Sequence, residues 1–169
     1  MLAETELLAD FELFKHDDTP FSNQALKDRW SFLIFGYTFC PDFCPTTLAV
    51  FNQVHRVLTQ PPGSGRDIQV VMVSVDPERD TARQLRAYVP HFNPEFIGVT
   101  GDAAVINRLT DSLGVVHEKH AGSTAETYLI DHSTAVYLIN PKGRLQGIFA
   151  PPHDAADLVK GFQQIRERM

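Results

Sequence analysis

Two long apolar runs dominate the hydrophobic pattern of the chain. Residues 31–37 and 68–75 are rich in β-branched and aromatic side chains, and polar or turn-forming residues bound each run. Continuous runs of this length are typical of strands that are buried on both faces of a sheet. Further strands are predicted in an opening β-hairpin between Phe11 and Phe21, and at residues 96–100, 134–140 and 144–149, the last two joined as a hairpin.

Helical periodicity alternates with these strands. Apolar residues recur at steps of three and four between Leu48 and Leu58, which predicts a helix that ends before Pro61. Asp102 and Gly114 fit the N-cap and the C-cap of a later helix. Two other helices are predicted, one after Pro77 with Leu85, Tyr88 and Val89 inward, and a closing one from Asp154.

The order of these elements predicts an α/β fold in a single domain, residues 1–169. We expect a mixed central sheet with helices on both faces, mostly parallel but with an antiparallel edge, and a β-hairpin extension at the N-terminus. The polar segment 117–127 is predicted to be an irregular loop. This arrangement matches a thioredoxin-like architecture.

Composition and charge narrow the function classes. The chain is 43% hydrophobic, and it has no apolar run of about 18 residues, so we expect a globular domain without a membrane span. The formal net charge of −6 disfavours a nucleic-acid partner, because cationic surfaces bind phosphate backbones. Two cysteines are too few for a disulfide scaffold. Residues 1–10 carry no recognisable export signal.

The two cysteines occupy a position typical of reactive or metal-binding thiols. Cys40 follows a predicted buried strand and Cys44 lies where a helix begins, so the helix dipole favours the thiolate. On one helical turn their Cβ atoms would be about 5–6 Å apart, whereas a disulfide needs about 3.5–4.5 Å. A metal ion that binds each sulfur at about 2.3 Å tolerates the wider gap. Two thiolates suit Cu(I) or Zn(II), and one imidazole would complete a three-ligand site.

His132 is the histidine best placed to be the third ligand. It directly precedes the strand predicted at residues 134–140. In a thioredoxin-like fold the loop before this strand lies against the cysteine turn, so this placement depends on the predicted fold.

Four motifs carry a family resemblance: GYTFCPDFCPTTL at 36–48, VSVDPERDT at 73–81, GVTG at 98–101 and DHSTAVYLINPKGR at 131–144. Together they resemble the Sco/SenC family over nearly the whole chain. The resemblance implies that Cys40, Cys44 and His132 bind copper, as Cu(I) or Cu(II).

The resemblance also implies a role, partners and a location. Such proteins deliver copper to the dinuclear copper centre of cytochrome c oxidase, so we expect the copper-site subunit of the oxidase as partner and another copper chaperone as donor. Family members are tethered to a membrane, with this domain in the bacterial periplasm or, less expected here, the mitochondrial intermembrane space. The tether is absent from this sequence, so we expect a periplasmic domain without its anchor, acting as a monomer.

An enzymatic role is the main alternative to a metallochaperone. In a thiol-disulfide oxidoreductase, Cys40 would attack a partner's disulfide and Cys44 would resolve the mixed disulfide, without need of His132. The target would be the cysteines of the oxidase copper site or a redox-signalling protein. A peroxidase is less favoured, because the chain lacks a PxxxTxxC motif.

Several residues near these motifs have two interpretations each. Asp42 could orient a ligand or only favour the helix N-terminus, and Asp76 could contact a partner or cap the turn before Pro77. His117 and His120, spaced H-x-x-H, could form a transient second copper site or simply be solvated loop residues. The aromatic residues Tyr37, Phe39 and Phe43 could shield the metal and dock a partner or simply pack, and the remaining histidines, His16, His55, His91 and His153, are expected on the surface or in the core.

Overall fold

The computed structural model describes residues 6–40, 43–60, 66–115, 117–120, 129–132 and 135–168. The strands are β1 (Glu6–Leu7), β2 (Glu12–Lys15), β3 (Pro20–Ser22), β4 (Trp30–Gly36), β5 (Ile68–Ser74), β6 (Ile97–Thr100), β7 (His117–His120), β8 (Leu129–His132), β9 (Val136–Ile139) and β10 (Arg144–Phe149). The helices are α1 (Phe43–Leu58), α2 (Ala82–Tyr88), α3 (Ala103–Leu113) and α4 (Ala155–Glu167).

Eight of these strands form one mixed sheet, in the order β1-β10-β9-β4-β5-β6-β2-β3. Parallel pairing joins β4 to β5 and β5 to β6, while the other neighbours described in this sheet are antiparallel. The mixed α/β fold is confirmed, but the expectation of a mostly parallel sheet is wrong. The reason is that the β2–β3 and β9–β10 hairpins extend the sheet on both sides of its parallel centre.

The two central strands explain why the apolar runs are continuous. All seven residues of β4 and all seven of β5 are buried. One face of the sheet packs in a cluster that includes Leu85 of α2 and apolar residues of α1 and α4, and the other face packs in a cluster with apolar residues of α3. Helices therefore cover both faces, as predicted.

Local capping follows the sequence signals closely. The Asp102 side chain accepts a hydrogen bond from the backbone N–H of Ala104 at the start of α3, and Gly114 ends that helix with a φ of 71°. The Asp154 side chain accepts from the backbone N–H of Asp157 at the start of α4. These predicted caps are confirmed.

Two local expectations are wrong. Part of the segment expected to be an irregular loop forms β7, which pairs with β8 in a separate two-stranded antiparallel sheet. The helix expected after Pro77 begins only at Ala82, because Thr81 is its N-cap and accepts from the backbone N–H of Gln84. Of the helices in the described ranges, none has the length and hydrophobicity to cross a bilayer.

An aromatic cluster under α1 and α4 stabilises the packing of both helices on the sheet. Phe32 of β4 is fully buried, with ring centroids 5.2 Å from Phe51 and 5.3 Å from Phe162. We expect Phe32→Ala to lower the free energy of unfolding by about 3–5 kcal/mol, because the lost ring leaves a cavity between both helices and the sheet. Urea unfolding measures the change. The control Val57→Ala, at an exposed position of α1, should stay within about 0.5 kcal/mol of the parent, and an equal effect of both variants would contradict the prediction.

Candidate metal centre

The first cysteine lies in a short turn directly after β4. The backbone N–H of Cys40 donates to the carbonyl oxygen of Tyr37 at 3.1 Å. The side chain of Cys40 is 8% exposed and belongs to the apolar cluster that also contains Tyr37 and Tyr137. The thiol is thus held at the end of a central strand, close to the surface but largely shielded from water.

The second cysteine lies at the start of α1. This helix begins at Phe43, so Cys44 is its second residue. Backbone N–H groups and the positive end of the helix dipole favour a thiolate at such a position. Cys40 lies between β4 and α1, and Cys44 lies near the start of α1, as predicted. Pro41 and Asp42 lie outside the described residues, and the role considered for Asp42 stays a prediction.

His132 precedes β9 in the chain, and β9 begins beside the end of β4 that leads to Cys40. Val136, at the start of β9, lies opposite Ile34 near the end of β4. His132 ends β8, four residues before Val136. Four residues span at most about 14 Å when extended, so the chain keeps His132 within a short reach of the carboxyl end of β4.

The set of three ligands itself stays a prediction. Among the side chains that the structure describes, no group of three His, Cys, Asp or Glu residues forms a metal site. Cys44 and His132 are placed by their backbone positions, in α1 and β8. The fold contributes the position of Cys40 after β4, of Cys44 near the start of α1 and of His132 before β9.

A buried carboxylate ties the cysteine turn to the neighbouring strand. The backbone N–H of Thr38 donates to Oδ2 of Asp80 at 3.0 Å, and the Thr38 hydroxyl donates to Oδ1 at 2.6 Å. The hydroxyl of Ser74, the last residue of β5, donates to Oδ2 of Asp80 at 2.7 Å. Asp80 therefore accepts three hydrogen bonds and fixes the backbone two residues before Cys40.

Burial shapes the titration of this carboxyl group. Desolvation raises the pKa of Asp80 above its ordinary value of 3.8, and the nearby carboxylate of Asp76 acts in the same direction. The hydrogen bonds from Thr38 and Ser74 stabilise the charged form and oppose this rise. Desolvation is the largest contribution, so the net direction is upward.

Asp76 and Arg79 form a second, adjacent interaction. Nε of Arg79 donates to Oδ2 of Asp76 at 2.5 Å, and the carboxylate of Asp76 is nearly fully buried. The Arg79 guanidinium carbon lies 4.6 Å from the ring centroid of Phe39 and 5.6 Å from that of Tyr37. The carboxylate of Asp76 is therefore bound within the chain, which disfavours the partner contact considered for it.

The aromatic residues divide between core and surface. Tyr37 is buried in the core, whereas Phe39 is 48% exposed directly beside Cys40. Phe39 thus presents apolar surface at the cysteine turn, in line with the docking role considered for it. Phe43 is described by its backbone position in α1, and the role of its ring stays a prediction.

The other histidines fall into two groups. His117 and His120 are the first and last residues of β7 and do not lie in a loop. His55 is buried, bonded to Asn93 and paired with Glu95 at 3.1 Å, and Nδ1 of His16 accepts from the backbone N–H of Gly98. His91 is exposed. These positions agree with the expected surface and core roles of such histidines.

Asp80, Thr38 and Ser74 are the site residues that the sequence analysis did not single out. The signal for Ser74 and Asp80 is present in the motif VSVDPERDT, where a serine ends a buried strand and a second aspartate follows the first by four residues, whereas Thr38 lies in the motif GYTFCPDFCPTTL. Nothing in the motif itself indicates which aspartate turns inward. The structure assigns the bridging role to Asp80 and the ion pair to Asp76.

Removal of the bridging carboxylate should destabilise the fold. We expect Asp80→Ala to lower the free energy of unfolding by about 2–3 kcal/mol, because the buried hydroxyl of Ser74 and the partly buried donors of Thr38 lose their acceptor. Urea unfolding measures this loss. Asp111→Ala, which removes an exposed carboxylate from α3, is the matched control and should change stability by less than about 0.5 kcal/mol. Equal stability of the Asp80 variant and the control would contradict the bridging role.

The raised pKa of Asp80 gives a pH dependence of defined sign. Between its ordinary pKa of 3.8 and its higher value in the folded protein, the folded state binds more protons than the unfolded state. The free energy of unfolding of the parent, relative to Asp80→Asn, should therefore fall as the pH rises from about 4 and level off once the folded carboxyl group ionises. Urea titrations of both proteins across this range measure the difference. A difference that grows with pH would show that hydrogen bonding outweighs desolvation.

Comparison with known proteins assigns nearly the whole chain to one family. A family model described as SCO1/SenC matches residues 1–167. The SCO2-like protein of Rickettsia felis is 35% identical over 156 residues, covering 90% of this chain and 75% of that protein. The crystal structure of Arabidopsis thaliana ScoI with copper bound has a TM-score of 0.88 and 31% identity, covering 96% of this chain and 99% of the other. The copper-bound structure of Bradyrhizobium japonicum ScoI has a TM-score of 0.84 and 28% identity, covering 94% and 99%. The chain belongs to the SCO1/SenC family.

Proposed function

We propose that this protein is a copper metallochaperone that carries one copper ion on Cys40, Cys44 and His132. The proposal is supported by the position of Cys40 after β4, of Cys44 near the start of α1 and of His132 before β9, in a chain related to proteins whose structures contain copper. Copper is the cargo of this site. Its delivery to the dinuclear copper centre of cytochrome c oxidase is the role that we propose.

The donor set fits such a cargo. Two thiolates are soft ligands that favour Cu(I), and an imidazole suits both Cu(I) and Cu(II). The helix N-terminus at Cys44 favours the thiolate that a metal requires. The burial of Cys40 protects one sulfur from water and from unselective oxidants.

Delivery requires that the ion leave without a change of oxidation state. In a ligand exchange, an incoming thiolate of the partner forms a bond to copper while one of the thiolates of this chain releases it. The exposed ring of Phe39 lies beside Cys40 and offers an apolar contact for the partner at the point of exchange. We propose the copper-site subunit of the oxidase as the acceptor, another copper chaperone as the donor, and the periplasmic face of the bacterial inner membrane as the location.

Copper titration of the reduced, metal-free chain tests the ligand set. We expect one Cu(II) per chain with thiolate charge-transfer bands, and at least about a 100-fold loss of Cu(II) affinity in Cys40→Ser, Cys44→Ser and His132→Ala, because even outer-shell changes cost about 10–100-fold. Cu(I) affinity should fall less in His132→Ala than in the cysteine variants, since thiolates prefer the soft ion. Visible absorption and electron paramagnetic resonance (EPR) report the Cu(II) site, and competition with a Cu(I) chelator reports the other state.

His91→Ala is the control for the histidine variant. His91 is exposed, follows α2 in the chain and is not part of the proposed site. It should bind copper like the parent. Equal Cu(II) affinity in the parent and in His132→Ala would remove His132 from the site. Weak copper binding that no cysteine variant alters would favour the thiol-disulfide oxidoreductase instead, and reduction of a partner disulfide by the metal-free chain would then be the activity to measure.

A further inference from the structure

The β7–β8 pair places a second histidine beside the proposed ligand. The register of the antiparallel pair sets His117 directly opposite His132, and His120 opposite Leu129. Residues directly opposite each other share one face of a ladder, with Cβ atoms about 4.5–5.5 Å apart. Imidazole nitrogens bind metals at about 2.0–2.1 Å, so two histidines paired in this way are close enough to bind one ion.

The His117–His132 pair lies at the root of this hairpin, next to the folded body. His117 follows Val115 by two residues, and Val115 is buried where the chain leaves α3. The backbone N–H of Val115 donates to the carbonyl oxygen of Thr110 at 2.8 Å, which fixes the start of the hairpin. His132 precedes Ala135 by three residues, and Ala135 is partly buried before β9. His120 belongs to the opposite end of the hairpin, away from these anchors.

Both anchors of the hairpin pack in the same cluster as the first cysteine. Val115 and Cys40 are members of one buried apolar cluster, and Ala135 packs against it. The root of the hairpin is therefore attached to the part of the core that holds the proposed sulfur ligand. Strand alternation puts His120, three residues after His117, on the opposite face of β7.

We propose that His117 is a fourth ligand of Cu(II), supplied across the ladder from His132. This inference rests on the proposed copper-binding function. Cu(II) favours tetragonal coordination with nitrogen ligands, so two sulfurs and one imidazole leave a position that a second imidazole fills. Cu(I) is satisfied by the soft thiolates and needs the extra nitrogen much less. His117 therefore raises the affinity for Cu(II) more than the affinity for Cu(I).

EPR of the Cu(II)-loaded full chain tests this ligand. Parent spectra should show coupling to two nitrogens, and His117→Ala should show one, with a fall in Cu(II) affinity of at least about tenfold and a smaller change in Cu(I) affinity. A conserved nitrogen count in His120→Ala is expected, because that residue lies on the other face and at the far end. His117→Gln, with a similar volume and a poor metal ligand, should behave like His117→Ala, and urea unfolding of each variant shows that the fold is intact.

The outcomes separate this inference from the function on which it rests. If His117→Ala keeps the nitrogen coupling and Cu(II) affinity of the parent while His132→Ala loses them, the fourth ligand is refuted and the three-ligand copper site stands. If His120→Ala loses a nitrogen and His117→Ala does not, the register-based assignment is refuted. Insensitivity of Cu(II) binding to His132→Ala and to both cysteine variants would overturn the proposed function together with this inference.

Discussion

The buried carboxylate of Asp80 is the contact on which the geometry of the cysteine turn depends. It joins Thr38, two residues before Cys40, to Ser74 at the end of β5. The parallel pairing of β4 and β5 already fixes the ends of both strands relative to each other. Through its hydrogen bonds, Asp80 also fixes the loop that carries the Cys40 thiol relative to β5. The position of Cys40 is therefore set by the neighbouring strand as well as by its own.

Much of the fold could be predicted because its centre has strong local signals. β4 and β5 are buried along their whole length, so their sequences are continuously apolar, and the caps Asp102, Gly114 and Asp154 use ordinary capping chemistry. β7 could not be predicted in this way. Its residues His117–His120 are all polar, and only the ladder with β8 makes them a strand. Pairing between distant segments is invisible to hydrophobic periodicity.

The candidate site shows the same division between local and long-range information. Cysteine spacing and the position of Cys44 at a helix start are local, and the sequence indicates both. The roles of Asp76 and Asp80 are decided by which carboxylate meets Thr38 and Ser74 and which meets Arg79. Asp80 follows Asp76 by four positions in the sequence. The path of the turn after β5 decides that Asp80 accepts hydrogen bonds from Thr38 and Ser74 and that Asp76 pairs with Arg79.

The separation of the β7–β8 pair from the main sheet has a mechanical consequence. Within the described part of the chain, β8 pairs with β7, and β9 alone continues from it into the eight-stranded sheet. The proposed sulfur ligand Cys40 thus follows a central strand of the main sheet, whereas the proposed nitrogen ligands belong to a separate two-stranded sheet. A shift of that ladder breaks no hydrogen bond between strands of the main sheet. If copper is bound as proposed, the imidazoles and the thiolates therefore belong to separate sheets, and a movement of the imidazoles leaves the strands that hold Cys40 in place.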